Sequence, residues 1–243
     1  MRTFGLIGKK LEHSFSAQYF NEKFQREGIN DTEYKNFELN NINDFQNLIE
    51  RRKFSGLNVT IPYKESIIPF LDTISYHATK IGAVNTIQFI NNKTIGHNTD
   101  YIGFKKSISP LLKGLSKALI LGNGGAGKAV KYALNQLNVK HKTVSRGSSF
   151  DYKNITKEYN NLADIIINTT PLGTYPKTDD YPKIPYEKFN RNQLFFDLIY
   201  NPQETLFLKY GKANKCKIKN GLEMLQIQAE ESWNIWNQKV VKY

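Results

Sequence analysis

With 243 residues, 40% of them hydrophobic and 13% aromatic, the chain has ample apolar material for one large packed core or two small ones. No apolar run approaches the roughly 20 residues of a membrane span, and MRTFGLIGKK has too short an apolar segment for a secretory signal, so a cytoplasmic location and no membrane partner are expected. The net charge of +12 is scattered without any run of five basic residues, which argues for general attraction of anions and against nucleic acid as a partner.

Residues 3–7 read as a strand, followed by a polar loop over 8–14 and a helix that sets Ala17, Phe20 and Phe24 on one face. Residues 33–39 alternate as a second strand, 42–52 form an amphipathic helix, and 57–59 a third short strand. This βαβαβ order predicts a parallel sheet with helices on both faces. Thr60 to Lys64 follow, with Pro62 suited to the first turn of a helix. Residues 84–90, the turn pair Asn91 and Asn92, and residues 94–97 predict a β-hairpin, after which Asn98, Thr99 and Asp100 lead into a helix over 101–112.

Residues 117–146 carry the most specific local pattern. A short apolar run over 118–121 predicts a buried strand, Gly122, Gly124 and Gly127 then spell GxGxxG, and Ala129, Ala133 and Leu137 follow at helical spacing. The first glycine permits a tight turn, the second lets backbone approach a pyrophosphate, and the third lets helix and strand pack closely. Phosphate would then sit on the helix N-terminus. A strand over 142–144 completes the βαβ unit and ends in Ser145, Arg146, Gly147, Ser148 and Ser149, with no acid before Asp151. An NAD site places a carboxylate there for the ribose 2′-hydroxyl, whereas Arg without a carboxylate suits the 2′-phosphate, so NADP is the expected cofactor.

Residues 164–168 and 194–199 read as further buried strands, the first running into Thr169, Thr170, Pro171, Leu172 and Gly173. A short helix over 206–213 and a strand over 215–218 follow. Cys216, the lone cysteine, has no partner for an internal disulfide and no metal-ligand spacing, so it reads as a reduced thiol in that strand, and no metal is expected. A long helix over 222–240 has Leu225, Ala229, Trp233, Trp236 and Val240 as its stripe. Two doubly wound α/β domains are therefore expected, one from residues 1–100 plus 222–243 and one from 101–221, with ligands beyond the strand C-termini.

Nicotinamide chemistry is hydride transfer, so the first domain must supply a substrate pocket and a group that exchanges the accompanying proton. Ser14 and Ser16 follow the first strand, Thr60 and Lys64 the third, Asn85 lies in the hairpin and Asp100 at the domain junction, a hydroxyl- and amide-rich set with one cation and one anion that suits a small polyhydroxylated carboxylate. Taken singly, Lys64 reads as a solvated helix residue and Asp100 as an N-cap.

Eight ordered motifs change that balance: HSFS over 13–16, NVTIPYK over 58–64, GAVNT over 82–86, GHNTD over 96–100, GNGGAGKA over 122–129, NTTPLG over 168–173, DLIYNPQET over 197–205 and GLEML over 221–225. Together they span nearly the whole chain, which resembles the shikimate dehydrogenase family. The resemblance implies NADPH-dependent reduction of 3-dehydroshikimate to shikimate, in aromatic amino-acid biosynthesis, between an N-terminal substrate domain and a Rossmann NADP-binding domain. It implies Lys64 and Asp100 as the catalytic pair, Ser14 and Ser16 as ligands of the substrate carboxylate, and Thr60, Asn85, Tyr200 and Gln228 as the rest of the pocket. For the cofactor it implies Gly122, Asn123, Gly124, Gly125, Ala126, Gly127, Ser145, Arg146, Thr169, Thr170 and Leu198, with Gly221 as a backbone contact to the nicotinamide. Gln228 follows Leu225 on the apolar stripe, so its side chain is expected to face the groove.

The chain also departs from the family. Ala17 and Phe20-Asn21 replace a frequent Pro and His-Asn, and Ser145-Arg146-Gly147 replaces Asn-Arg-Thr, leaving Arg146 with weakened neighbours; Lys128 stands for a frequent Arg. Three other readings stand beside the main one: a relative that also takes quinate or prefers NAD, a dinucleotide-binding sensor without turnover, and a nucleic-acid binder. The expected assembly is a monomer or homodimer.

Overall fold

The computed structural model describes residues 1–12, 14–147, 152, 155 and 163–238. These form two compact units, Met1–Thr99 together with the chain from Ala229, and Asp100–Gln228.

The first unit is built on a six-stranded sheet of β1 (Arg2–Gly8), β2 (Thr32–Glu38), β3 (Gly56–Val59), β4 (Thr73–Ile74), β5 (Thr86–Ile90) and β6 (Lys93–His97), in the order β2-β1-β3-β5-β6-β4. Strand β1 runs parallel to both β2 and β3, as the βαβαβ pattern predicts. The hairpin β5–β6 is present, with Asn91 and Asn92 both at positive φ, and β5 joins β3 antiparallel, so the sheet is mixed. Helices α1 (Phe15–Arg26), α2 (Asp44–Arg51) and α3 (Tyr76–Ile81) connect the strands. Alternation along β1 divides the core: Phe4 and Leu6 face Phe20, Phe24, Tyr34 and Trp236 on one side, while Ile7 meets Phe45, Leu57 and Val59 on the other.

Pro62 does not open a helix. The Ile61–Pro62 peptide is cis, and residues 61–67 run as successive turns, with the Tyr63 amide donating to the Thr60 carbonyl (2.9 Å) and that of Ile67 to Tyr63 (2.9 Å), before a 3-10 turn at Ile68–Phe70. Two buried side chains fix this path: the Tyr63 hydroxyl donates to the Leu39 carbonyl (2.6 Å), and Ile67 is wholly enclosed.

The second unit holds a five-stranded, all-parallel sheet in the order β11-β10-β9-β7-β8: β7 (Lys117–Leu121), β8 (Lys140–Val144), β9 (Ile165–Asn168), β10 (Leu194–Asp197) and β11 (Lys217–Lys219). Strands β9 and β10 are buried at every position, which is why their sequences read as unbroken apolar runs. Helices α4 (Asp100–Ile108), α5 (Gly125–Gln136) and α6 (Leu206–Ala213) accompany them. The helix expected over 101–112 stops at Ile108 and tightens into a 3-10 turn at Ser109–Leu111, because Pro110 cannot donate to an α-helical bond. Cys216 is buried and free but lies just before β11 rather than in it, since Lys215 takes a positive φ and delays the strand; burial pushes its thiol up to about 11.

The last helix, α7 (Leu222–Asn237), is shared between the units. Its first turns group with the second unit, where a Cβ on Gly103 of α4 would lie 2.6 Å from the Met224 carbonyl, so only glycine permits so close a crossing. From Ala229 on it belongs to the first unit, whereas the sequence reading assigns the whole helix there. Val240 falls outside the described residues.

Candidate active site

In the second unit the glycine turn joins β7 to α5, and each glycine has a separate reason to be there. Gly122 has φ 111°, and a Cβ on it would lie 2.7 Å from Thr169 Oγ1. A Cβ on Gly127 would lie 2.7 Å from the Gly122 carbonyl oxygen, so this residue sets how closely α5 packs on the turn. Around Gly124 there is open space instead, and no side chain caps α5, which begins at the next residue. The first-turn N–H groups of a helix have no intrahelical partner, and the dipole adds positive potential there. Gly124, Gly125, Ala126 and the exposed Asn123 therefore form a cradle that fits a pyrophosphate.

The neighbouring strand ends complete this rim. Thr169 is held by its amide (2.9 Å) and hydroxyl (2.8 Å), both donated to the Leu121 carbonyl. Thr170 donates its amide (3.0 Å) and hydroxyl (2.6 Å) to Asn168 Oδ1. The Leu198 amide donates to the Asn168 carbonyl (3.0 Å), and the Gly221 amide to Ile199 (3.0 Å); a Cβ on Gly221 would come within 2.0 Å of the Leu198 carbonyl oxygen, so no other residue fits. Ser145 and the exposed Arg146 follow β8 directly. Burial raises the Tyr152 phenol, and the nearby Arg146 charge pulls it down. Ser148, Ser149 and Asp151 lie outside the described residues, as does His13. Tyr200 is half-buried, and the Gln228 amide donates back to the Leu225 carbonyl of its own helix (3.0 Å).

Under this rim lies a polar cluster that sequence reasoning missed. Asp197, fully buried at the end of β10, accepts from Thr205 Oγ1 (2.5 Å), Asn168 Nδ2 (3.0 Å) and the Ile199 amide (3.0 Å). Burial raises its carboxyl to about 7 even against those three donors. The available signal was an acid closing an otherwise apolar strand, LFFD.

In the first unit, Ser14 is the N-cap of α1, its hydroxyl accepting from the Ser16 amide (3.4 Å), and both serines are half-buried. Thr60 follows β3, its amide donating to Ile7 of β1 (2.9 Å), which brings the two strand ends together. Lys64 is half-buried in the turns after β3, and its carbonyl accepts from the Val84 amide (2.7 Å). The next residue, Asn85, is buried; its Nδ2 donates to Thr99 Oγ1 (2.9 Å) and its Oδ1 accepts from the Thr99 amide (2.7 Å). Lys64, Asn85 and Thr99 thus share one continuous hydrogen-bonded frame. Asp100 follows Thr99 as the first residue of α4, one position inside the helix rather than at its N-cap, and is buried. Tyr34, Asn58, Thr86 and Ser232 form the buried polar surroundings of this frame, and none was singled out from sequence. Among the described residues, no group of three or more His, Cys, Asp and Glu could hold a metal ion.

Comparison with known proteins gives a consistent picture. Residues 6–87 match the family model for the shikimate dehydrogenase substrate binding domain. The chain is 40% identical over 252 residues to the NADP(+) shikimate dehydrogenase of Clostridium beijerinckii, covering 98% of this chain and 93% of that one. It superposes with a TM-score of 0.89 on shikimate dehydrogenase 1 from Peptoclostridium difficile, at 37% identity, over 100% of this chain and 94% of that one. A shikimate dehydrogenase solved in complex with NADP+ gives a TM-score of 0.84 at 34% identity, over 98% and 90% of the respective chains.

Proposed function

The chain belongs to the shikimate dehydrogenase family, and on that premise we propose that it interconverts 3-dehydroshikimate and shikimate as an NADP-linked oxidoreductase of the shikimate pathway. The observation that carries this reading is the frame that ties the Lys64 turn to Asn85 and Thr99 at the ends of β5 and β6, in a chain that also keeps an uncapped glycine turn for the cofactor. The second unit would serve as the nucleotide domain and the first, with the end of α7, as the substrate domain.

NADP would lie with its pyrophosphate on the α5 N-terminus, bounded by Gly122, Gly124, Gly125 and Gly127, its 2′-phosphate toward Ser145 and Arg146, and its nicotinamide end toward Thr169, Thr170, Leu198 and Gly221. Bound there, it supplies the hydride for reduction and takes it up in oxidation. Lys64 gives a proton to the ketone oxygen as that oxygen gains charge, and recovers it in the reverse direction. Asp100 accepts a hydrogen bond from a substrate hydroxyl. The Ser14 and Ser16 hydroxyls donate to the substrate carboxylate, while Asn85, Thr60, Tyr200 and Gln228 select for the ring hydroxyls.

We read the net charge as surface charge, and the protein as a cytoplasmic monomer or homodimer without a nucleic-acid partner. Among the described residues no helix is long and apolar enough to cross a membrane.

Absorbance at the nicotinamide band, with purified protein and shikimate, offering NADP and NAD in parallel, tests this reading. Turnover is expected with shikimate and NADP, and Lys64→Ala should lower kcat by about 100- to 10,000-fold while NADP still binds. Protein that binds NADP but turns over no shikimate would overturn the activity. A Lys64→Ala variant of normal kcat would overturn only the role of Lys64.

A further inference from the structure

Ser232 occupies the buried face of α7 between Ala229 and Trp236, where the stripe of the helix calls for an apolar side chain, and it has no exposure at all. A hydroxyl so enclosed is costly unless bonded. Its Oγ lies 3.1 Å from Asn58 Nδ2, 2.8 Å from Thr86 Oγ1 and 3.2 Å from Thr99 Oγ1. These groups are themselves tied to Asn85: Thr86 Oγ1 lies 3.2 Å from Asn85 Oδ1, Asn58 Nδ2 lies 3.1 Å from the Asn85 carbonyl, and Asn85 Nδ2 lies 2.9 Å from Thr99 Oγ1. At the far end the Tyr34 hydroxyl donates to Asn58 Oδ1 (2.8 Å) and also meets the Ser16 hydroxyl.

The fixed donors around this cluster give it a direction. Tyr34 donates to Asn58 Oδ1, which turns Asn58 Nδ2 toward Ser232. Ser232 accepts from Asn58 and shares hydrogen bonds with the Thr86 and Thr99 hydroxyls, in each of which either oxygen can donate, and Thr86 donates to Asn85 Oδ1. The Thr99 amide donates to that same oxygen at 2.7 Å, so a flipped Asn85 would set NH₂ against N–H. The hydroxyl on the last helix therefore helps decide which way the Asn85 amide faces, and it holds Thr99, the residue before Asp100.

We propose that Ser232 is a positioning residue for the substrate site, orienting Asn85 and the Thr99–Asp100 peptide through a buried hydrogen-bond cluster rather than touching substrate. This rests on the reading of Asn85 as a substrate ligand. No part of that reading assigns a role to Ser232.

Steady-state kinetics of Ser232→Ala, Asn85→Ala and the double variant, with the Kd for NADP and the thermal midpoint of each, test the proposal. Ser232→Ala is expected to raise the KM for shikimate about tenfold while the NADP Kd stays within about twofold, as for a misplaced polar contact. In the Asn85→Ala background the same change should add nothing to KM, because its route to the substrate is gone. A lowered thermal midpoint with unchanged shikimate KM, or effects that multiply in the double variant, would overturn the proposal and leave the role of Asn85 standing. Should Asn85→Ala alone leave the shikimate KM intact, both fall. If Ser232→Ala does not fold, Thr86→Val, which keeps its shape and breaks the same line one bond further on, is expected to give the same KM rise, and its absence would equally refute the idea.

Discussion

Asp197 shows how far a single buried carboxyl can reach. It receives three hydrogen bonds, from Thr205 at the start of α6, Asn168 at the end of β9 and the Ile199 amide, and so fastens the two loops that carry Thr170 and Leu198. Desolvation still dominates and raises the carboxyl to about 7. Between the ordinary carboxylate range near 4 and that value, the folded chain holds a proton that the unfolded chain has lost. This group's contribution therefore declines as pH rises through the window and is level above it. Asp197→Asn, which cannot ionise, should remove that slope: the difference in urea stability between wild type and variant should change by on the order of 3 kcal/mol from pH 4.5 to about 8, with the variant gaining relative to wild type as pH rises. A constant difference across that range would mean that Asp197 is ionised in the fold at every pH tested.

At the level of elements, the strand–turn–helix around Gly122, Gly124 and Gly127 allows a sharper contrast, because each glycine is needed for a different reason. Gly124 has φ −80° and open space where a Cβ would go, so Gly124→Ala should keep the fold, with a small capping loss, and weaken NADP binding at least about tenfold by filling the phosphate cradle. Gly127→Ala pushes a methyl to 2.7 Å from the backbone oxygen of Gly122, and should cost about 1–3 kcal/mol of stability. Urea midpoints and cofactor fluorescence titrations on the two variants separate these effects; equal loss of both properties in both would dissolve the distinction. This element was legible in the sequence because glycine spacing has a steric meaning before any fold exists. The hairpin was legible too, since Asn91 and Asn92 tolerate positive φ. Strand β4, of two residues, and the short α3 leave no periodicity to read. The turns over 61–67 depend on where Tyr63 finds the Leu39 carbonyl, and the Asn58–Ser232 bond joins residues 174 positions apart. Such long-range pairings leave no mark on local pattern beyond a polar residue in an apolar place.

Across the whole molecule, the first unit is made from both ends of the chain. Arg2 donates to Asn237 Oδ1 (2.7 Å), Lys23 pairs with Glu230 (2.8 Å), and the Trp236 ring lies 4.9 Å from Phe4 and 5.5 Å from Phe20, its indole N–H donating to the Ile87 carbonyl (3.0 Å). A Cβ on Gly56 would come within 2.4 Å of that indole, so β3 has given up a side chain to admit it. The Lys23–Glu230 pair has a buried lysine and a half-exposed glutamate, so solvent screens it in part. The first unit can therefore close its core only when α7 is in place, which makes its folding depend on contacts of the longest sequence separation. Trp236→Ala empties a site shared by Phe4, Phe20 and Tyr34 and leaves the Ile87 carbonyl without its donor, at a cost of about 3–5 kcal/mol. The glycine turn lies wholly within the second unit, so in this variant shikimate binding should weaken as the first unit loosens while the NADP Kd holds. The chain has two tryptophans, Trp233 and Trp236, both in the first-unit portion of α7, so the remaining Trp233 reports on that unit during urea unfolding. An early Trp233 transition with NADP binding retained beyond it means that the units unfold separately; NADP affinity lost in step with that transition means that they unfold as one cooperative block.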